Sequence, residues 1–596
     1  MVKLLTEKER ETLDEKIARG GLSGWIASKR LRLDDERRLH AETVATTTAE
    51  TWRGKVKLSS RGFHMPFGGP DQIVGPMPEA RATTVQLAGL NPWAVGAGAP
   101  LVGTPVGLHL VTGGSVHFDL TGWMVRGGYI TAPVMLLLAL NGYGKSSLVR
   151  RIQTGAVAQG RTSLVLGDCK PDFRAQTEAF GGQVIELGHG HGTLNPLDVG
   201  ALGRVIPVFE EEADKEDKAG NTTRAELLRE KASSLRLEVR QRQLTMVAGL
   251  IELIRHGKVG DFEETVIASS LRILYEEEGF DAENPPLLQD LLEVIKSSHP
   301  TLMEDVGVDV HPTWAKADDE DYSRIALEEY SHQIQPLRRS LRALIKGEFG
   351  EIFNNQTTTR LDLDAPAICV DVSKIPHSDT SPLRAAVLMT CWSEGFGAVQ
   401  AAHELADMGL APKRTFQCIM DELWQVLGAD SSMISRVNEL SRLNRTIGTE
   451  LIMITHSIAD FGAFDSARER GQAEGLVERA RVKIFGALPP KEVARLRDVV
   501  GLSATEESML TSWAATTSLT GEGARPGEAP PLPPGTGKFL IKVGERGTPG
   551  IPFQLIFAPS ERTSGVHDTN ARFADAGKRA GLEKTAMTPD EGKHHR

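Results

Sequence analysis

Val134-Met-Leu-Leu-Leu-Ala-Leu-Asn-Gly-Tyr-Gly-Lys-Ser-Ser-Leu-Val149 decides the fold. An apolar run of strand length ends in a short glycine loop, and the loop opens a helical pattern. A phosphate-binding loop needs this order. Successive backbone N–H groups and the helix N-terminus face an anion and need no ionisation to hold it. In that frame Asn141, Gly142, Tyr143, Gly144, Lys145, Ser146 and Ser147 form the cradle. Lys145 reaches the β/γ oxygens of a nucleotide and Ser146 ligates Mg²⁺. Gly142 and Gly144 supply positive φ and close approach. The usual pattern G-x-x-x-x-G-K-S has glycine where this chain has Ala139, which is tolerable if φ there is negative.

Downstream, further apolar runs end in polar groups. Thr415-Phe-Gln-Cys-Ile-Met-Asp-Glu-Leu-Trp424 ends in two acids. Asp421 fits the acid that holds Mg²⁺ through water or Ser146, and Glu422 fits a base or water-orienting group for attack on the γ-phosphate. A helix cap is the plain alternative for this pair, and Trp424 reads as packing. Glu450-Leu-Ile-Met-Ile-Thr-His456 ends in a polar pair, where His456 is either a γ-phosphate sensor or an ordinary solvent-facing histidine. Ser163-Leu-Val-Leu runs into Gly167-Asp168-Cys169-Lys170. Ligands of open parallel sheets bind beyond the carboxyl ends of the strands, so one mononucleotide site accounts for all four endings. Arg442 and Arg445 lie between the second and third endings. Each reads as a trans-acting arginine finger or as a helix-terminal cation.

The surrounding sequence sorts into blocks. The chain has 596 residues, 40% hydrophobic and 25% charged, which excludes wholesale disorder and leaves room for roughly four domain-sized units. A formal net charge of −11 argues against a histone-like DNA coat without excluding a local basic channel. DNA is thus a possible partner that charge does not indicate. The four cysteines form no CxxC pair, so a reducing compartment and no zinc site are expected. His189-Gly-His191 and His594-His595 lack nearby partners in sequence and read as loop and tail. No run reaches the ~20 apolar residues of a membrane span, and no signal core is present, so a cytoplasmic protein is expected. Residues 1–84 read as an N-terminal arm for docking, with Thr6 and Glu9 fitting a capping box. Residues 85–203 hold glycine-rich short strands and the first part of the core. Residues 204–347 carry helical periodicity, with Leu244, Val247, Leu250, Ile251 and Ile254, then Val266, Ile267, Leu271 and Leu274, as an all-helical insertion. Strand and helix alternation resumes over 348–520. Ten of the 17 residues in 521–537 are Gly or Pro, a linker. Two closing strands follow within 538–570, then a polar tail over 571–596.

Taken in order, these motifs resemble a known family. Gly167-Asp-Cys-Lys-Pro-Asp-Phe173, Phe180-Gly-Gly182, Leu194-Asn-Pro-Leu-Asp198, Leu361-Asp-Leu363, Val370-Asp-Val-Ser373 and Asp421-Glu-Leu-Trp424 are similar to stretches of conjugation and type IV secretion ATPases of the TraC/TrbE type, within the HerA/FtsK superfamily of ring motors. Arg445 sits where that superfamily places its trans-acting arginine, and Asp568-Thr-Asn570 resembles its closing segment. The resemblance spans roughly residues 90–570. It implies an α/β, RecA-like P-loop NTPase core with a mostly parallel sheet, an all-helical insertion and a small N-terminal β-rich and helical region. It also implies ATP with Mg²⁺, a homo-oligomer of hexamer type, and membrane channel proteins as partners at the inner face of the membrane. The family usually has Gln where His456 stands, and a much larger N-terminal domain. Two other functions fit the same residues: a DNA translocase or conjugative coupling ATPase, and a nucleotide-binding scaffold that never hydrolyses.

Overall fold

The computed structural model describes residues 5–18, 21, 23–35, 57–59, 62–64, 99–308, 320–376, 382–423, 449–456, 475, 477–515, 533–544 and 548–567. The chain divides into two compact units, Met1–Asn91 and Pro92–Arg596. In the first, a helix spans Glu7–Ala18 and a second helical stretch covers 23–35. Leu13 and Ala27 are its buried apolar residues. Arg10 donates to Asp34 and Asp35, both at 2.6 Å, and the Leu5 N–H donates to Asp34 at 2.8 Å. Glu9 accepts from the Thr6 N–H at 2.8 Å, which is half of the expected box, and from the Thr6 hydroxyl at 2.9 Å, which donates where the box would have it accept. Strands β1 (Lys57–Ser59) and β2 (Gly62–His64) form an antiparallel pair.

The second unit is built on one eleven-stranded sheet. Its strands are β3 (Thr104–His109), β4 (Ser115–Phe118), β5 (Val134–Leu138), β6 (Thr162–Asp168), β7 (Gln183–Glu186), β8 (Ala367–Asp371), β9 (Phe416–Met420), β10 (Glu450–Thr455), β11 (Val482–Phe485), β12 (Lys538–Val543) and β13 (Ile551–Leu555). The order across the sheet is β4-β3-β13-β12-β11-β5-β10-β9-β6-β8-β7. From β11 to β7 every pairing is parallel; from β11 to β4 every pairing is antiparallel. The apolar runs explain the parallel block. β6, β8, β9 and β10 are buried along their whole length, as strands covered by helices on both faces must be. The two expected closing strands, β12 and β13, extend the sheet antiparallel and bring β3 and β4 with them.

Between β7 and β8 the described residues hold helices and no strand, from Gly200 to Phe353. Helices Gly200–Lys218 and Thr222–Arg255 run antiparallel: Arg229 meets Asp214 and Asp217, and Arg236 meets Glu210 further along. Leu202, Ile206 and Phe209 of the first pack with Leu228, Leu235 and Val239 of the second. Of the periodic residues, Val247, Leu250, Ile251, Val266, Ile267, Leu271 and Leu274 are buried in the main apolar core, and Leu244 and Ile254 pack against it partly buried. Helix Pro382–Asp407 joins this helical part to the sheet. Lys231 pairs with its Glu404 at 2.7 Å, and its Trp392 donates to the Leu166 carbonyl of β6 at 2.7 Å.

A buried ion cluster ties together the entry ends of the strands. Arg161, just before β6, donates to both carboxylate oxygens of Asp119 at 2.6 and 2.8 Å and to Glu450 of β10 at 2.9 Å. Glu450 also accepts from the Thr121 N–H and hydroxyl and from Gln417 of β9.

Candidate functional site

The strand order decides which endings meet. β5, β10, β9 and β6 are consecutive neighbours, all parallel, so their carboxyl ends lie side by side on one edge. Beyond β5 the chain turns through Gly142 at φ 82° and Gly144 at φ 96°, where a side chain would be strained. Gly144 caps the helix Lys145–Ala158. The Gly537 N–H donates to the Tyr143 carbonyl at 3.0 Å, so the segment leading into β12 buttresses the loop.

Positive φ among the described non-glycine residues falls at His256, Ser298 and Glu422, so Ala139 keeps negative φ and meets the condition set by the loop pattern. Its methyl has a partner. A Cβ added at Gly486 would lie 2.6 Å from the Ala139 Cβ. Gly486→Ala is therefore expected to cost about 1–3 kcal/mol through overpacking. Adding Ala139→Gly to the same chain should recover part of that loss in urea unfolding. Equal losses in the single and double variants would show that the two methyls do not compete.

Lys145 is buried and curled over its own loop. Its ammonium donates to the carbonyls of Ala139 (2.7 Å) and Leu140 (3.3 Å) and to Asn141 Oδ1 (3.3 Å). It also lies 2.5 Å from His456 Nδ1. An ammonium only donates, so Nδ1 accepts and the other ring nitrogen, Nε2, carries the proton. Nε2 in turn meets Glu422 at 2.8 Å. Lys170, from the loop after β6, pairs with Glu422 at 2.8 Å. Burial lowers Lys145 to about 8, against the upward pull of Glu422 and Asp421.

Glu422 itself sits at φ 51°, a left-handed conformation that costs on the order of 1–2 kcal/mol for a residue with a side chain. Its N–H donates to Asp421 Oδ1 at 2.9 Å. Burial would raise Glu422, but the hydrogen bonds from His456 and Lys170 and the charge of Lys170 outweigh it and lower the carboxyl below its ordinary value. Its neighbour goes the other way. Burial, then the charges of Glu422 and Asp168, raise Asp421 well above the usual carboxylate range. Burial likewise raises Asp168 to about 6, although the N–H groups of Phe173 and Asp172 donate to it. Two adjacent acids thus hold opposite protonation preferences, which is how a site separates their roles.

The structure therefore brings Lys145, His456 and Glu422 into one hydrogen-bonded chain, with Asp421 beside it. Ser146 departs from expectation. Its hydroxyl donates to Asp172 at 2.7 Å, a residue not singled out from the sequence. Ser147 accepts from Arg150 at 3.3 Å. Arg442, Arg445, Trp424, Asp568-Thr-Asn570 and His594-His595 lie outside the described residues. His189 and His191, expected without partners, pair with Glu351 and Glu186. The Ser146 hydroxyl and the Asp421 carboxylate are hard oxygen donors of the kind Mg²⁺ takes, and Asp421 feels the charge of Asp172, the partner of Ser146. Burial and the charges of neighbouring carboxylates raise Asp421, and a divalent cation would favour its ionised form, so the residues fit the ion.

No protein-family model matches the chain, and no curated protein matches it. Among solved structures, VirB4 of Thermoanaerobacter pseudethanolicus matches with a TM-score of 0.54 at 18% identity, over 78% of this chain and 100% of that one. The plasmid coupling protein TrwB, in complex with ADP and Mg²⁺, matches at 13% identity with a TM-score of 0.39, over 78% of this chain and 96% of that one. Sheet, glycine loop and strand endings together define the P-loop ATPase fold, with a mostly parallel core sheet and a helical insertion. The particular version of that fold is the one shared with VirB4. No helix of the described residues is long and apolar enough to cross a membrane.

Proposed function

We propose that the chain is an ATP-hydrolysing ring motor, of hexamer type, serving a conjugative type IV secretion channel. The observation that carries the enzymatic part is the contact chain Lys145–His456–Glu422 at the end of the glycine loop. The secretion role rests on the family resemblance of the motifs and on the shared fold. In this reading the loop amides from Gly142 to Ser146 hold the phosphates of ATP. Lys145 leaves the Ala139 carbonyl and His456 to meet the γ-phosphate oxygens. Glu422, held ionised, orients the attacking water. Ser146 and Asp421 would hold Mg²⁺, which would supply charge neutralisation on the phosphates. His456 links lysine to glutamate, so departure of the phosphate is felt at both. Arg445 is the residue proposed to reach a neighbouring subunit's nucleotide. Residues 1–84 are the segment proposed to dock on membrane channel proteins.

The test is phosphate release by the purified chain, measured over a range of protein concentrations alongside its mass in solution. Turnover per chain should rise steeply as the mass grows. Tight ATP binding with no turnover at any concentration, even in the assembled form, would replace the motor with a scaffold. Strong stimulation by DNA with a steep salt dependence would replace the secretion role with DNA translocation.

A further inference from the structure

We propose that Asp172 is a positioning residue for the Ser146 hydroxyl, directing it at the magnesium ion of the bound nucleotide; this rests on the nucleotide reading above. A serine hydroxyl has one proton and two lone pairs. When a lone pair faces a cation, the proton must point elsewhere, and the acceptor that takes it sets the direction of the lone pairs. In this protein the acceptor is Asp172 Oδ2, 2.7 Å from Ser146 Oγ.

Asp172 is held on every side. Its N–H donates to Asp168 Oδ1 at 3.0 Å, and its carbonyl accepts from Arg150 at 2.7 Å. The following residue, Phe173, donates to the other oxygen of Asp168 at 2.7 Å. Both braces are buried, Arg150 at 1% exposure and Asp168 at 0%. Arg150 lies four residues after Ser146, so one face of the helix Lys145–Ala158 grips the side chain and the backbone of the same aspartate. A loop that merely had to be closed does not require two buried charged groups around one residue. Asp421 is left to a different task. One of its oxygens accepts the Glu422 N–H, and no Ser146 contact competes for it. The division is that Asp172 takes the serine proton while Asp421 faces the ion. Groups that orient metal ligands in this way are worth ~10–100-fold in metal affinity.

The experiment follows a fluorescent ADP bound to wild type, Asp172→Ala, Asp172→Asn and Ser146→Ala. Each is titrated with magnesium chloride and, separately, assayed in excess chelator. Asp172→Ala should weaken the response to magnesium by ~10–100-fold while leaving metal-free ADP affinity unchanged. Asp172→Asn, which keeps an acceptor, should fall between it and wild type. The double variant Ser146→Ala with Asp172→Ala should respond to magnesium no more weakly than Ser146→Ala alone. Equal weakening with and without metal would mean that Asp172 only braces the loop, and the proposal would fail. An unchanged magnesium response would also overturn it. A wild-type chain that binds no ADP under either condition would remove the nucleotide reading and this proposal together, and that result is seen before any variant is made.

Discussion

Glu422→Gln should leave ATP bound and lower phosphate release by ~10²–10⁴-fold. The change is nearly isosteric and removes only the negative charge. That charge is favoured in the resting site, because the Lys170 ammonium and the hydrogen bonds from His456 and Lys170 hold the carboxyl below its ordinary value. An amide still accepts a hydrogen bond from His456 Nε2 but cannot draw a proton from water. The companion Lys145→Ala should instead abolish tight nucleotide binding, since it deletes the cation at the loop and leaves the Ala139 carbonyl without its 2.7 Å donor. Binding and single-turnover hydrolysis measured on both variants separate the two roles. Wild-type turnover in Glu422→Gln would take the water-orienting role away from this residue.

The second large effect concerns stability. Arg161→Ala should lower the unfolding free energy by about 3–5 kcal/mol, because it strands two buried carboxylates. Asp119 is 2% exposed and Glu450 is 1% exposed. Asp119 would lose both of its Arg161 hydrogen bonds, at 2.6 and 2.8 Å, and keep, among the described residues, only the longer ion pair with the exposed Arg126 at 3.8 Å. Glu450 would keep Thr121 and Gln417 but lose its cation. The cluster clamps the entry ends of β6, β9 and β10, and the carboxyl ends of those strands carry the site. Urea unfolding of Arg161→Ala against Arg324→Ala makes a sharp comparison. Arg324 and Glu328 are 66% and 70% exposed, so that exposed pair should contribute well under 1 kcal/mol. A loss at Arg161 as small as that at Arg324 would mean that the cluster is not a clamp.

How much of this was legible beforehand varies with the range of the forces involved. The loop from Gly142 to Ser146 was readable because its geometry is local: two glycines for positive φ, a strand before and a helix after. The burial of β6, β8, β9 and β10 was readable for a similar reason, since unbroken apolar runs suit strands covered on both faces. The role of Asp172 is not legible in sequence, although it stands in Gly167–Phe173, a stretch that resembles the family. It lies 26 residues after Ser146, in a polar loop with no spacing rule to join them. The pairing of Ala139 with Gly486 was equally hidden, because a missing glycine in one loop is matched by a glycine in another far along the chain.

From residues alone came the elements themselves: the phosphate loop, the apolar strands, the helical block and the acids waiting at strand ends. These follow from backbone sterics, hydrophobic period and capping, which act within a few residues of each other. Strand order, and with it every encounter between side chains far apart in the chain, was settled only by folding. Ser146 meeting Asp172, His456 standing between Lys145 and Glu422, and Arg161 between Asp119 and Glu450 are products of how the sheet is wound. That winding is the sum of many weak packing terms over the whole domain, and no short stretch of sequence contains it.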